Sequence, residues 1–140
     1  MAIEVDKAGS LPRPTRATKR SDASWRDLMN VSIGGPPKID ARDRMFFTER
    51  LALLLDTGVP LHVALQTLAR QVANPTMGEL VQTVCEAVSG GTTFAAALGA
   101  HGQVFPPTYV NLIAAAEKGG FLPTALERLR DMEERREDCL

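Results

Sequence analysis

Aromatic side chains are scarce in this sequence: Phe, Trp and Tyr make up 5% of 140 residues, with one Trp and one Tyr. An interior must therefore be filled largely by aliphatic residues and alanine, which suits short helices packed close together. Cysteine is equally sparse. Cys85 lies among apolar positions and Cys139 beside the C-terminus, so a disulfide framework is excluded and the pattern fits a reducing compartment. There is no run of about 18 apolar residues, which excludes a bilayer-spanning segment within this sequence. The opening stretch, MAIEVDKAGS, mixes charges and has no apolar core of the signal-peptide kind. Charge of one sign is lacking too. The formal net charge is −1, which predicts no nucleic-acid partner.

Catalytic and ligand-binding signatures are missing as well. The only histidines are His62 and His101; neither has a Cys, His, Asp or Glu at metal-ligand spacing, and both read as surface residues. Neither G-x-x-x-x-G-K-[ST] nor G-x-G-x-x-G occurs, so no phosphate cradle is predicted. Gly90-Gly91 and Gly119-Gly120 read as helix punctuation. The carboxylates Glu127, Asp131, Glu134, Glu137 and Asp138 alternate with Arg128, Arg130, Arg135 and Arg136, the pattern of a solvated helix and not of a cation site. The expectation is a protein that is not an enzyme and takes no cofactor or metal.

What is present divides the chain in two. Residues 1–39 read as a disordered or weakly structured tail, because Pro12, Pro14, Pro36 and Pro37 interrupt regular structure. Within it, Ser24 is placed to cap a turn carrying Trp25, Leu28 and Met29 on one side. From Asp40 to about residue 138 helical periodicity takes over. Asp40 is a good N-cap with Asp43 three residues on. Phe47, Leu51, Leu54 and Leu55 form one stripe, and Gly58 ends the helix. Pro60 and Leu61 open a second helix after a very short turn. Asn74 and Pro75 cap and open a third, ended at Ser89-Gly90-Gly91. Thr92 or Thr93 starts a short fourth carrying Phe94 and Leu98. Phe105-Pro106-Pro107 opens a fifth with Tyr109, Leu112, Ile113 and Ala116, stopped by Gly119-Gly120. A sixth runs from about Leu122 to Asp138, with Leu122, Leu126, Leu129 and Met132 on one side. No segment alternates apolar and polar residues long enough to predict a strand. The fold class predicted is all-α: a six-helix bundle of three antiparallel helix hairpins.

Four segments within these elements carry a family resemblance. They are Phe47 to Leu61, which contains a leucine run and then Gly58-Val59-Pro60-Leu61; Val88 to Leu98, with Gly90; Val104 to Val110, with Phe105-Pro106; and Ala114 to Leu122, with Glu117 and Gly120. In this order and spacing they resemble the type II secretion F family, over about two thirds of the chain. Two departures stand out: Glu49-Arg50 replaces the family's Arg-Gln, and Ala115-Ala116 its glycine before the glutamate. The resemblance implies a cytoplasmic helical domain, peripheral to the inner membrane, that serves as a scaffold or adaptor in type II secretion or type IV pilus assembly. It implies contacts with the assembly ATPase and other platform proteins, and self-association as a homodimer. Gly58, Pro60, Leu61, Gly90, Phe105, Pro106, Glu117 and Gly120 would be its structural motif. The chain ends at Leu140, where the family continues into a transmembrane helix and carries a second copy, so a detached module or a fragment is expected. The alternative from the residues alone is a generic helical protein-binding module unrelated to secretion.

The binding surface should be marked by apolar and charged residues left in solvent. The candidates are Phe46, Phe94 and Tyr109, with Arg128 and Arg135 on the final helix. Phe46 and Phe47 are adjacent and cannot both face one core, so one of the two is expected at an interface.

Overall fold

A computed structural model describes residues 35–138. The tail through residue 34, with the expected turn at Ser24–Met29, lies outside the described residues, as does Cys139. Six helices follow one another: α1 (Ala41–Asp56), α2 (Leu61–Gln71), α3 (Pro75–Ser89), α4 (Phe94–Gly99), α5 (Pro107–Gly119) and α6 (Leu122–Asp138). Among the described residues there is no strand.

Local chemistry sets the helix limits. Asp40 and Asp43 form a reciprocal capping box: the Asp43 amide donates to Asp40 Oδ1 at 3.0 Å and the Asp40 amide to Asp43 Oδ2 at 3.0 Å, which satisfies two amides at the start of α1. Asn74 accepts from the Thr76 amide at 2.9 Å and Pro75 occupies the first turn of α3. The Asn74 amide group also reaches back, donating to Lys38 O at 2.8 Å and Asp43 Oδ2 at 3.0 Å. The chain just before α1 is thereby tied to the corner between α2 and α3. Pro60 and Pro106 stand at the N-caps of α2 and α5 without a side-chain hydrogen bond. Gly120, in the left-handed region at φ 76°, ends α5 by donating to Ala116 O at 2.8 Å, a conformation that glycine adopts without steric cost.

Each helix packs on the next, and α6 returns to lie along α1, so the six close into a ring. The most extensive pairings are α1 with α6, α2 with α3, and α4 with α5. The units α1–α2, α3–α4 and α5–α6 are also in contact, but these pairings do not single out three hairpins. Phe47, Leu51, Leu65, Leu68, Met77, Val84, Phe94, Leu98, Phe105, Ile113 and Leu126 are buried at the centre. The few aromatics are concentrated there. Phe105 lies between Phe47 and Tyr109, with ring centroids 5.4 and 5.1 Å apart and tilted planes, a favourable edge-on geometry.

Replacing Gly120 by Ala puts a Cβ where φ is positive and should destabilise the domain by about 1–2 kcal/mol in urea unfolding. Gly102→Ala, which meets nothing within 4 Å and needs no positive φ, should stay within about 0.5 kcal/mol of the parent.

Candidate protein-interaction site and the polar contacts behind it

The geometry of the second half of the bundle depends on one carboxylate. Glu117, on the last turn of α5, accepts from the Phe94 amide at 2.8 Å and the Ala95 amide at 2.9 Å. Thr93 Oγ1 accepts from the Ala96 amide at 3.1 Å, and Thr93 O from the Ala97 amide at 2.9 Å. The amides of Phe94, Ala95 and Ala96, which a helix start leaves without an intrahelical acceptor, are thus met by side chains, and the Ala97 amide makes the first bond of the helix itself. A carboxylate at a helix N-terminus also meets the positive end of the helix dipole. Glu117 therefore fixes the six-residue α4 to α5 by two charge-assisted bonds.

A second polar chain joins α1, α5 and α6. Thr48 is fully buried. Its hydroxyl donates to Arg44 O at 2.9 Å, which leaves its oxygen to accept from Tyr109 OH at 2.6 Å. Arg44 donates through Nε to Glu133 and through Nη1 to Val104 O at 2.9 Å. Burial, more than the neighbouring Glu133, pushes the Tyr109 phenol far above its ordinary value of 10.0. Among the described residues, no buried side-chain nitrogen or oxygen lacks a partner. No group of three or more Cys, His, Asp or Glu is arranged to hold a metal ion there either.

Two of the sequence candidates are corrected by this placement. Phe94 is 0% exposed and Tyr109 3%, so neither offers a surface. Phe94 enters the core because Glu117 clamps its amide. Tyr109 is held by Phe105 and Thr48. Phe47 is buried while Phe46 stands at 36% exposure, with the Arg50 guanidinium 5.2 Å from its ring centroid, a cation–π distance. Leu53, one helical repeat further along α1, is 56% exposed. Arg128 and Arg135 are exposed on α6. Met132, read from sequence as part of the apolar side of α6, is 44% exposed, and Phe121 is 42% exposed. A Cβ at Gly119 would run into the Phe121 ring, so the glycine lets that ring lie over the turn. Near the end of α1, the Asp56 carboxylate beside Glu127 raises the Glu127 pKa above its ordinary value.

Sequence reasoning did not find Arg44, Thr48 or Glu133. Only Thr48, a polar residue next to Phe47 in an apolar stripe, gave a local hint; the Arg44–Glu133 pair spans 89 residues and has no local signature.

Among the described residues the buried side-chain polar atoms are all paired, and the six helices place the chain among helical-bundle domains. A match to the family described as "Type II secretion system (T2SS), protein F" covers residues 47–138. The chain belongs to that family. It is similar to a type IV pilus assembly protein PilC of Myxococcus xanthus, 37% identical over 108 residues, covering 77% of this chain and 26% of the relative. It is likewise similar to a type II secretion system protein F of Vibrio cholerae, 34% identical over 99 residues, covering 71% and 24%. A PilC of Thermus thermophilus is 39% identical over 88 residues, covering 63% and 21%. The chain thus spans about a quarter of the length of these relatives.

Glu117→Gln keeps one acceptor and turns a donor towards an amide. It should cost about 1–3 kcal/mol of stability in denaturant unfolding at neutral pH. The raised Tyr109 pKa gives a pH dependence with a definite sign. Its contribution is complete below pH 10.0, the ordinary value, and is lost as pH rises beyond it, because the unfolded chain ionises first. Stability measured at increasing alkaline pH should fall more steeply for the parent than for Tyr109→Phe. Because the chain has one Tyr, tyrosinate absorbance reports this group alone.

Proposed function

We propose that residues 40–138 are one domain, preceded by a tail over residues 1–39, and that the domain acts as a scaffold or adaptor in the inner-membrane platform of a type II secretion or type IV pilus machine. The observation that carries this reading is the family match over residues 47–138, nearly the whole ring of helices. The relatives' names support it, being those of type IV pilus assembly and type II secretion system proteins. In this role the domain sits on the cytoplasmic side, contacts the assembly ATPase and other platform components, and performs no catalysis of its own. Three antiparallel hairpins, α1–α2, α3–α4 and α5–α6, are the proposed structural units. No described helix is long and apolar enough to cross a membrane.

The exposed groups supply surfaces for such contacts: Phe46 and Leu53 on α1, and Arg128 and Arg135 on α6. Truncating a solvent-facing apolar anchor affects binding when it enters a partner's pocket and otherwise changes stability little. In a pull-down with the assembly ATPase of the same system, the parent chain should bind. Phe46→Ala should weaken binding at least about fivefold with thermal unfolding nearly unchanged. A parent chain that captures neither the ATPase nor other cytoplasmic platform domains, under conditions where a full-length relative does, overturns the reading.

A further inference from the structure

Beyond Leu129 the last turns of α6 are held on the domain by little. No residue from 130 to 136 is buried, and Met132 is 44% exposed. Among the described residues, the side-chain hydrogen bonds of this stretch are those of Glu133 with Arg44 and of Asp131 with Arg130. The second lies within α6 and ties it to no other element. The first crosses to α1 and is largely enclosed, with side-chain exposures of 18% for Arg44 and 12% for Glu133. The packing beneath it is incomplete. A recess of about 30 Å³ is lined by Arg44, Tyr109, Leu129, Met132 and Glu133, among others. A seam with such a gap has fewer contacts to lose on opening than a filled core.

Arg44 has a second hold. Its Nη1 donates to Val104 O at 2.9 Å, in the turn between α4 and α5, where the Val104 and Phe105 amides both donate to His101 O. One guanidinium thus joins α1, that turn and α6, and its rigid fork makes both bonds in a single orientation. The Glu133 carboxylate fixes that orientation. Withdrawing it leaves an enclosed guanidinium without a counter-ion, and such a charge is driven towards water. That movement breaks the bond to Val104 O. We propose that Arg44 is a release clasp: the last turns of α6 lift from the domain as a unit, which frees Arg44, loosens residues 101–105 and opens Tyr109 to solvent. Ala125, Leu126 and Leu129, the buried anchors of α6, stay seated, so the opening is local and not global. The docked and lifted states link the end of α6 to the α4–α5 turn. Whatever takes hold of that end favours the lifted state and is felt at residues 101–105. A ligand that grips the turn acts back on α6 by the same free energy. The proposal does not rest on the partner contacts proposed above and stands or falls separately from them.

Hydrogen exchange of the full chain, read by mass spectrometry, tests it with Glu133→Gln and Arg44→Met. In Glu133→Gln, exchange of residues 130–136 should quicken at least about tenfold. Residues 101–105, to which Glu133 makes no hydrogen bond of its own, should quicken at least about threefold, and residues 81–85 in α3 should stay within about twofold of the parent. Arg44→Met should give the same pattern, and combining the two substitutions should add little to either, because both remove one link. After a jump to about pH 11, tyrosinate absorbance should rise in both variants while circular dichroism is still native, and should lag behind them in the parent. Exchange that quickens at the end of α6 but not at residues 101–105 overturns the clasp. Exchange that quickens equally in α3 makes the pair a general stabiliser and overturns the local opening, as does a Tyr109 that ionises no sooner than in the parent. An Arg44→Met chain that does not fold leaves Glu133→Gln to decide by the same three readouts.

Discussion

Two backbone amides at the start of α4 and one carboxylate near the end of α5 hold the second half of this bundle in register. A helix of six residues has no independent stability in water, since nucleation costs more than so few hydrogen bonds return. Glu117 removes that difficulty by supplying acceptors where the helix has none. Once α4 is fixed, Phe94 and Leu98 enter the core and the direction of α5 is set. The left-handed turn at Gly120 then delivers α6, which runs back along α1 until Glu133 reaches Arg44. The closed ring is a chain of such consequences, each local in chemistry and long-range in effect.

This ordering explains which features could be read from sequence. The helix limits were legible because caps and stops are local: Asp40 with Asp43, Asn74 before Pro75, Thr93, and Gly58 and Gly120 each act on amides or carbonyls within a few residues. The orientation of adjacent Phe46 and Phe47 was partly legible, since helical geometry forbids both from facing one core. Burial of Phe94 and Tyr109 was not. The facing of a helix as short as α4 is decided by Glu117, 23 residues away, and Tyr109 is turned inward by Thr48, 61 residues away. An amphipathic pattern shows that a residue borders the core, but not which remote polar group will claim it.

The division of polar groups bears on what the chain offers to others. Inside, Thr48, Tyr109, Arg44 and Glu133 consume one another's hydrogen-bonding capacity, and the described interior keeps no orphaned side-chain donor or acceptor. On the solvent-facing helix sides stand aromatic, aliphatic and charged groups: Phe46, with Arg50 over its ring, and Leu53 on α1, Glu79 and Glu86 on α3, and Arg128, Met132 and Arg135 on α6. Membership of the secretion protein F family is consistent with that arrangement.

The bond from Asn74 to Lys38 O, together with the one to Asp43, has a mechanical consequence. Tension applied to the backbone ahead of α1 does not act first on the terminal turn of that helix, which would peel open one hydrogen bond at a time. Part of it is carried sideways into the corner between α2 and α3, so that several bonds must yield together. The domain thus resists being pulled from this end as a braced joint, with Asn74 as the brace.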